Sequence, residues 1–404
     1  MAARNEKRRR LEFAPPPPDE NIINRLPPQI MGDILLKLSS SIKTLIYCRC
    51  VCKSWYEILS DSYFTRSLVS TSPLSVLLLF PGYSVANCLI EVQKEEFSLI
   101  KKKKVSQLLD LNKTFIPGNH NLIGSCNGLL CFETGSDYQS CRYIFNPVLG
   151  RDRNDFVMLP KLYIDPSHTK KRVDSDIYGF GFCPKTYQYK VIRSMNFFGE
   201  YVYTIGTDSW RRIEDSPANN SKYENRDPGL YFNGALHWLP YKSIWCFDLY
   251  TEKFHQFPLP PLQQQYKNCK FDFGLKVFDN CLALYFKEKR NSNLKIWVMK
   301  DYGVKESWAN FFSVSENYEE HSWVWNSIPL KLTKDGSLLI VYDNEKRSLV
   351  YFDLRRGEVV GKRRINGLKK RSEACYGGIC IAHIATLISP KHIMKSSSPP
   401  ILYN

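Results

Sequence analysis

A few groups of residues in this chain have types and spacings that could do chemistry. Gly124-Ser125-Cys126-Asn127-Gly128 has the Gly-x-nucleophile-x-Gly outline of a hydrolase elbow, with cysteine as the nucleophile. That use requires a strand-to-helix turn that lifts the nucleophile above a sheet. Here Leu129-Leu130-Cys131-Phe132 continues as a strand, and Asn-Gly favours a type I′ turn, so a hairpin is expected. Cys48, Cys50 and Cys52 could suggest a thiolate metal site. They fall in a helical pattern, however, without the companion Cys or His that zinc spacing requires. Gly179-Phe180-Gly181 lacks the third glycine and following helix of a phosphate loop, and within a strand such glycines permit close packing. The seven histidines are scattered, and His237 beside Trp238 reads as a core or channel residue. Nothing selects a pair among the forty acids. No catalytic residue, metal ligand or cofactor is expected.

What remains is the chemistry of surfaces. Ile30, Ile34, Leu35 and Leu38 fall at i, i+4, i+5 and i+8, an apolar stripe on a short helix opened by Pro27 and Pro28. Leu45, Cys48, Cys52 and Trp55 make a second stripe at i, i+3, i+7 and i+10. Ser39-Ser40-Ser41 separates the two, supplying a turn and an N-cap. Helices this short and this apolar cannot bury their surface among themselves, which marks a docking module.

The stretch Leu26-Pro27-x-x-Ile30-x-x-x-Ile34-Leu35-x-x-Leu38, then Cys48-Arg49-x-Val51-Cys52-Lys53-x-Trp55-x-x-Ile58-Leu59-Ser60-Asp61-x-x-Phe64, resembles the F-box. Serines follow Leu38 where many plant F-boxes carry Leu-Pro. The resemblance implies docking to a Skp-type adaptor and, through it, to a cullin–RING ubiquitin ligase. It implies adaptor contacts from Leu26, Pro27, Ile30, Ile34, Leu35, Leu38, Leu45, Cys48, Val51, Cys52 and Trp55, some of them also holding the helices together.

After Phe64 helical spacing gives way to short runs rich in Val, Ile, Tyr, Phe and Trp, broken by Gly, Pro, Asn or Asp. Turn signals at Asn127-Gly128, Pro184-Lys185, Asn233-Gly234, Asp279-Asn280 and Asp335-Gly336 recur about every 50 residues. Each precedes a strand ending in a polar turn, at 144–147, 203–210, 246–248, 297–301 and 350–353. Four strands per repeat suggest a propeller, with 76–80 and 88–92 making another blade and 376–389 supplying closing strands. A β-sandwich with long loops is the alternative. Ile123-Gly124-Ser125-Cys126-Asn127-Gly128-Leu129-Leu130-Cys131 with Phe145-Asn146-Pro147 is similar to the start of the plant F-box-associated, kelch-like domain. So are Tyr178-Gly179-Phe180-Gly181-Phe182-x-Pro184-x-Thr186-x-x-Tyr189-Lys190-Val191, Asn233-Gly234-x-Leu236-His237-Trp238 and, more loosely, 383–390.

The expected fold is mostly β with a small α domain at the N-terminal end. It has a basic, proline-containing tail (1–21), a three-helix F-box (22–66), a propeller-like domain of six or seven four-stranded blades (72–392) and a tail (393–404). A fragment cut after about Ser70 is expected to fold alone. No apolar run approaches the roughly 20 residues that span a bilayer, so no membrane partner is expected. The thirteen cysteines lack paired spacing and fit reduced thiols. An intracellular setting follows, cytoplasmic or nuclear, with Lys7, Arg8, Arg9 and Arg10 as a weak nuclear signal.

The formal charge is +16. The resemblance implies a substrate receptor that catalyses nothing, with a propeller face opposite or oblique to the F-box meeting a protein substrate. The basic runs Lys101, Lys102, Lys103, Lys104; Lys170, Lys171, Arg172; and Lys369, Lys370, Arg371 read as loops and favour an acidic target. The alternative is a basic propeller that binds an acidic protein or nucleic acid without a ligase. Nucleic acid is the weaker of these, because most aromatics read as core. An enzyme ranks third.

Overall fold

Local rules near the N-terminal end produce four short helices. The computed structural model describes residues 26–38, 41–72, 74–79, 88–91, 104–105, 109–110, 120–134, 141–149, 156–162, 177–195, 199–213, 228–240, 243–261, 271–288, 294–314, 327–333, 336–365 and 379–395. Helix α1 (Pro28–Lys37) opens on a proline, whose missing N–H falls where helical donors are unpaired anyway. Ser41 caps α2 (Ile42–Cys48), its hydroxyl accepting from the Lys43 N–H. The second stripe is not one helix: Cys52 is extended (φ −158°, ψ 169°), and α3 (Lys53–Ser60) starts after it. Cys50 therefore lies in a turn and Cys52 at a cap, rather than inside a helix. Asp61 ends α3 and caps α4 (Ser62–Thr71), accepting from the Tyr63 and Phe64 N–H groups. That one aspartate turns the three expected helices into four.

From Leu74 onward the described chain is strand. The first to appear are β1 (Leu74–Leu79), β2 (Cys88–Glu91), β3 (Lys104–Val105) and β4 (Leu109–Asp110). Next come β5 (His120–Cys126), β6 (Leu129–Thr134), β7 (Cys141–Phe145) and β8 (Phe156–Met158), one antiparallel sheet in chain order. The pattern repeats in β9 (Ile177–Cys183), β10 (Gln188–Met195), β11 (Gly199–Thr204) and β12 (Arg211–Ile213). It repeats in β13 (Leu230–Phe232), β14 (Ala235–Trp238), β15 (Ile244–Asp248) and β16 (Lys253–Phe257), then in β17 (Phe271–Phe278), β18 (Cys281–Glu288), β19 (Leu294–Met299) and β20 (Trp308–Val314). The last full repeat is β21 (Ser327–Leu332), β22 (Leu338–Asp343), β23 (Ser348–Asp353) and β24 (Glu358–Ile365), to whose outer edge β3 adds in parallel. The final strand, β25 (Ile379–Ile384), returns to pair with β1 from Leu74↔Ile384 to Leu79↔Ile379, and α5 (Pro390–Lys395) follows.

The result is a six-bladed β-propeller. Its inner strands β5, β9, β13, β17, β21 and β25 pack each on the next and close the ring. The blade β25-β1-β2-β4 is shared between the two ends of the domain, which leaves no open seam. Tight turns follow the expected chemistry: Asn127 and Gly128, Asn233 and Gly234, and Asp279 and Asn280 all have positive φ. The turn after β9 differs, spanning 184–187 with Tyr187 at φ 57°. Gly179 is required by close approach, since a Cβ there would sit 2.7 Å from the Trp238 ring of the next blade.

Strand direction alternates within a blade, so the first-to-second and third-to-fourth turns of every blade share one face. Because β1 occupies a second-strand position, the chain enters the propeller on that face, and the helices sit there. Met31, Leu35, Ile42, Leu45, Leu59, Phe64 and Leu68 of the helices belong to the same buried cluster as Leu77, Leu79, Phe132, Tyr143 and Phe145 of the first two blades. Helices and blades thus share one continuous core.

Candidate binding surfaces

Each turn of an α-helix advances 3.6 residues, so Ile34 and Leu35 point about 100° apart. The structure separates them accordingly. Leu35 is 0% exposed, packed with Met31 in the helical core, while Ile34 is 41% exposed and lies with exposed Ile30 and Leu38 along α1. Leu45 and Cys48 are also buried, and burial pushes the Cys48 thiol up. Val51 is exposed in the turn between α2 and α3, and Tyr47, one turn earlier on α2, is exposed too. Pro27 is exposed at the start of α1; Leu26, Cys52 and Trp55 are half-buried. The expected adaptor residues therefore divide. Leu35, Leu45 and Cys48 hold the helices together, and Ile30, Ile34, Leu38 and Val51 present apolar surface to solvent, the mark of an interaction site.

The opposite side of the helical unit is fixed to the propeller by α4. Its Leu68 is fully buried, Val69 packs against the cluster that includes Ile388, and the Arg66 guanidinium lies 5.4 Å from the centre of the Tyr187 ring. Just past its end the Ser72 hydroxyl donates to the Ala385 carbonyl at 2.9 Å. Thr386 donates to the Asn127 carbonyl in the first tight turn, and the Asn146 amide donates to the Thr386 and Ile388 carbonyls. The segment after β25 is thereby stitched between the helices and the neighbouring blade.

Short helices joined to a ring of six blades are matched by two family models. One, for the F-box associated beta propeller domain, covers residues 80–376; the other, F-box-like, covers 23–70. The chain is an F-box protein with an F-box-associated propeller. Among its relatives in Arabidopsis thaliana, F-box protein At3g07870 is 27% identical, the match covering 83% of this chain and 87% of the relative. F-box/kelch-repeat protein At3g23880 is 24% identical over 72% of this chain and 80% of its own length. F-box protein CPR1 is 25% identical, with 81% and 82% covered. The plant F-box architecture accordingly spans both halves of the molecule.

Burial holds two cysteine thiols inside this F-box protein's propeller in the protonated form. Cys126 of the elbow-like motif is buried beneath a hairpin turn, and burial pushes its thiol well up. A second arrangement, unforeseen from sequence, brings Cys246 Sγ within 3.6 Å of His237 Nε2 and Tyr302 Oη within 2.8 Å of the same nitrogen. His237 Nδ1 faces the Leu230 carbonyl, which can only accept, so Nδ1 carries the proton and Nε2 accepts from the tyrosine. Burial raises the Cys246 thiol to about 12 and lowers His237 to about 4, which keeps both neutral. A thiol protonated and buried in this way is not an activated nucleophile. Among the described residues, no group of His, Cys, Asp and Glu side chains could hold a metal ion, and no helix is long and apolar enough to cross a membrane.

Of the expected basic substrate residues the structure describes Lys104. Lys101, Lys102, Lys103, Lys170, Lys171, Arg172, Lys369, Lys370 and Arg371 lie outside the described residues. Lys104 is in strand β3, opposite Arg364 of β24, rather than in a loop. What sequence reasoning passed over are the exposed tyrosines Tyr47, Tyr56, Tyr63, Tyr187 and Tyr250. Tyr187 and Tyr250 were hidden because an aromatic in a strand-rich text reads as core.

Proposed function

We propose that this protein is the substrate-recognition subunit of a Skp–cullin–F-box ubiquitin ligase. The F-box docks a Skp-type adaptor through Ile30, Ile34, Leu38 and Val51, and the propeller holds the protein to be ubiquitinated. The chain itself supplies no catalytic group; its work is to hold two proteins at a fixed spacing. The observation that carries this reading is the apolar stripe exposed on α1 of a helical unit whose other side is locked into the propeller core. A basic propeller working without a ligase has no use for that stripe.

Ile34→Asp tests the reading, because the side chain is exposed and charge there spoils a contact rather than a core. A buried unpaired carboxylate at the interface costs several kcal/mol, so adaptor retention in a pull-down should fall more than about a hundredfold. Thermal unfolding of the variant should match the wild type. Adaptor retained at the wild-type level by the variant sinks the proposal. Leu35→Asp is a different experiment, since it places charge inside the helical core and should unfold the docking unit.

A further inference from the structure

We propose that a ladder of exposed tyrosines and cations on the helix-side face, Arg66, Tyr187, Lys185 and Tyr250, binds an extended acidic segment of the protein held for ubiquitination. The inference rests on the receptor reading above and names where, and by what chemistry, the target is grasped.

The ladder runs from α4 across two blades. Arg66 covers the Tyr187 ring in the turn after β9; Lys185, in the same turn, places Nζ 4.4 Å from the centre of the Tyr250 ring, in the turn after β15. Tyr187 is 39% exposed and Tyr250 52%, so both rings are open to a partner. The turns themselves are ordinary for this ring, closing on a left-handed residue as those ending at Arg347 and Gly357 do. Tyr187 has φ 57° and Glu252 φ 56°, left-handed positions where glycine or asparagine is the ordinary choice.

Charge indicates the occupant. Carboxylates in these turns are engaged: Asp248 accepts from the Tyr250 and Thr251 N–H groups, and Glu252 pairs with Lys190 at 2.7 Å and with Arg211. Arg66, Lys185 and Lys253 remain at the surface, offset by exposed Asp208 and by Asp248 near Lys185. Separate carboxylates on an extended peptide can be spaced between these acids, whereas a continuous phosphate backbone would run over them. A cation also lies beside each ring, where a stacked base would otherwise sit.

The test uses the full chain bound to a Skp-type adaptor and a short fluorescein-labelled peptide of alternating Glu and Pro, extended by composition. Its comparators are the Lys and Pro counterpart and a single-stranded oligonucleotide of equal charge. The acidic peptide should bind about tenfold tighter than either, with an affinity that falls as salt rises. Lys185→Glu and Tyr250→Ala should each weaken it about threefold or more, the size expected for an exposed cation–aromatic pair. Tyr187→Gly separates binding from folding: glycine relieves the strained turn, so the melting temperature should hold or rise while affinity drops. Equal binding of acidic and basic peptides, preference for the oligonucleotide, or affinity unchanged in all three variants would overturn the ladder. Adaptor retention, measured on the same samples, reports on the receptor reading separately.

Discussion

Two buried histidines tie the stability of the propeller to pH. His237 sits between blades with both ring nitrogens paired, and His383 in β25 shares a hydrogen bond of 2.9 Å with the Ser125 hydroxyl across the closing seam. Burial lowers His237 to about 4 and His383 to about 3, against 6.5 for the free side chain. A base whose folded pKa is depressed binds fewer protons in the native state than in the unfolded one. Its neutral form costs nothing above about pH 6.5, and stability is lost as pH falls from there toward the folded values. At the lower end each histidine accounts for a loss on the order of 3 to 5 kcal/mol, the larger for His383. Denaturant titrations from neutral pH down to about pH 4.5 should therefore show falling stability, and His383→Gln should flatten the fall. An unchanged slope in that variant would remove His383 from the account. Neither histidine's environment was legible in the sequence, where His237 could only be assigned to a core or channel. The Asn-Gly turns were legible, because positive φ at both central positions is a local demand that few residues meet.

At the scale of elements, the local signals were clear and their partners were not. The periodicity of α1 correctly marked an apolar helix. It placed buried Leu35 in one stripe with exposed Ile30, Ile34 and Leu38 and passed over buried Met31, because spacing cannot say which side meets a core. Strand-ending acids were visible as polar landmarks, and their hydrogen bonds explain why they stand there. Asp248 and Asp353 each cap the turn into the fourth strand by accepting two backbone N–H groups. A repeat in the tryptophans went unread. Trp210 donates to the Pro160 carbonyl and Trp308 to the Pro258 carbonyl, the same latch between a fourth strand and the end of the preceding blade. The most consequential element is α4, whose Phe64 and Leu68 belong to the propeller's cluster as much as to the helices. A fragment beginning at residue 73 should expose that part of the core, losing solubility and unfolding at a lower temperature than the full chain. If it melts at the wild-type midpoint, the shared core contributes nothing and the two units are independent.

For the whole molecule, the decisive fact is where the ring closes. A propeller whose two chain ends meet in one blade cannot shed its last strand without opening two inner contacts, β25 on β5 and β25 on β21, and leaving the β1 edge unpaired. The same closure fixes where the helices sit, because β1 is entered on the face where β25 leaves. The helices, the segment after β25 and the tyrosine ladder are thus gathered on one side. Under the receptor function proposed above, an F-box there would bring the ligase to the side of the ring on which the turns of blades three and four would offer a target. Removing residues 379–404 should therefore do more than trim an end. It deletes a full inner strand, the His383–Ser125 bond and the Asn146 anchors, and it should convert one cooperative unfolding transition into a broad one with aggregation. A synthetic peptide spanning 379–395, added during refolding, should restore a sharp transition by supplying the missing strand. Should the truncated chain unfold cooperatively at the wild-type midpoint without it, closure by β25 is dispensable, and the placement of the helices must be held by α4 alone.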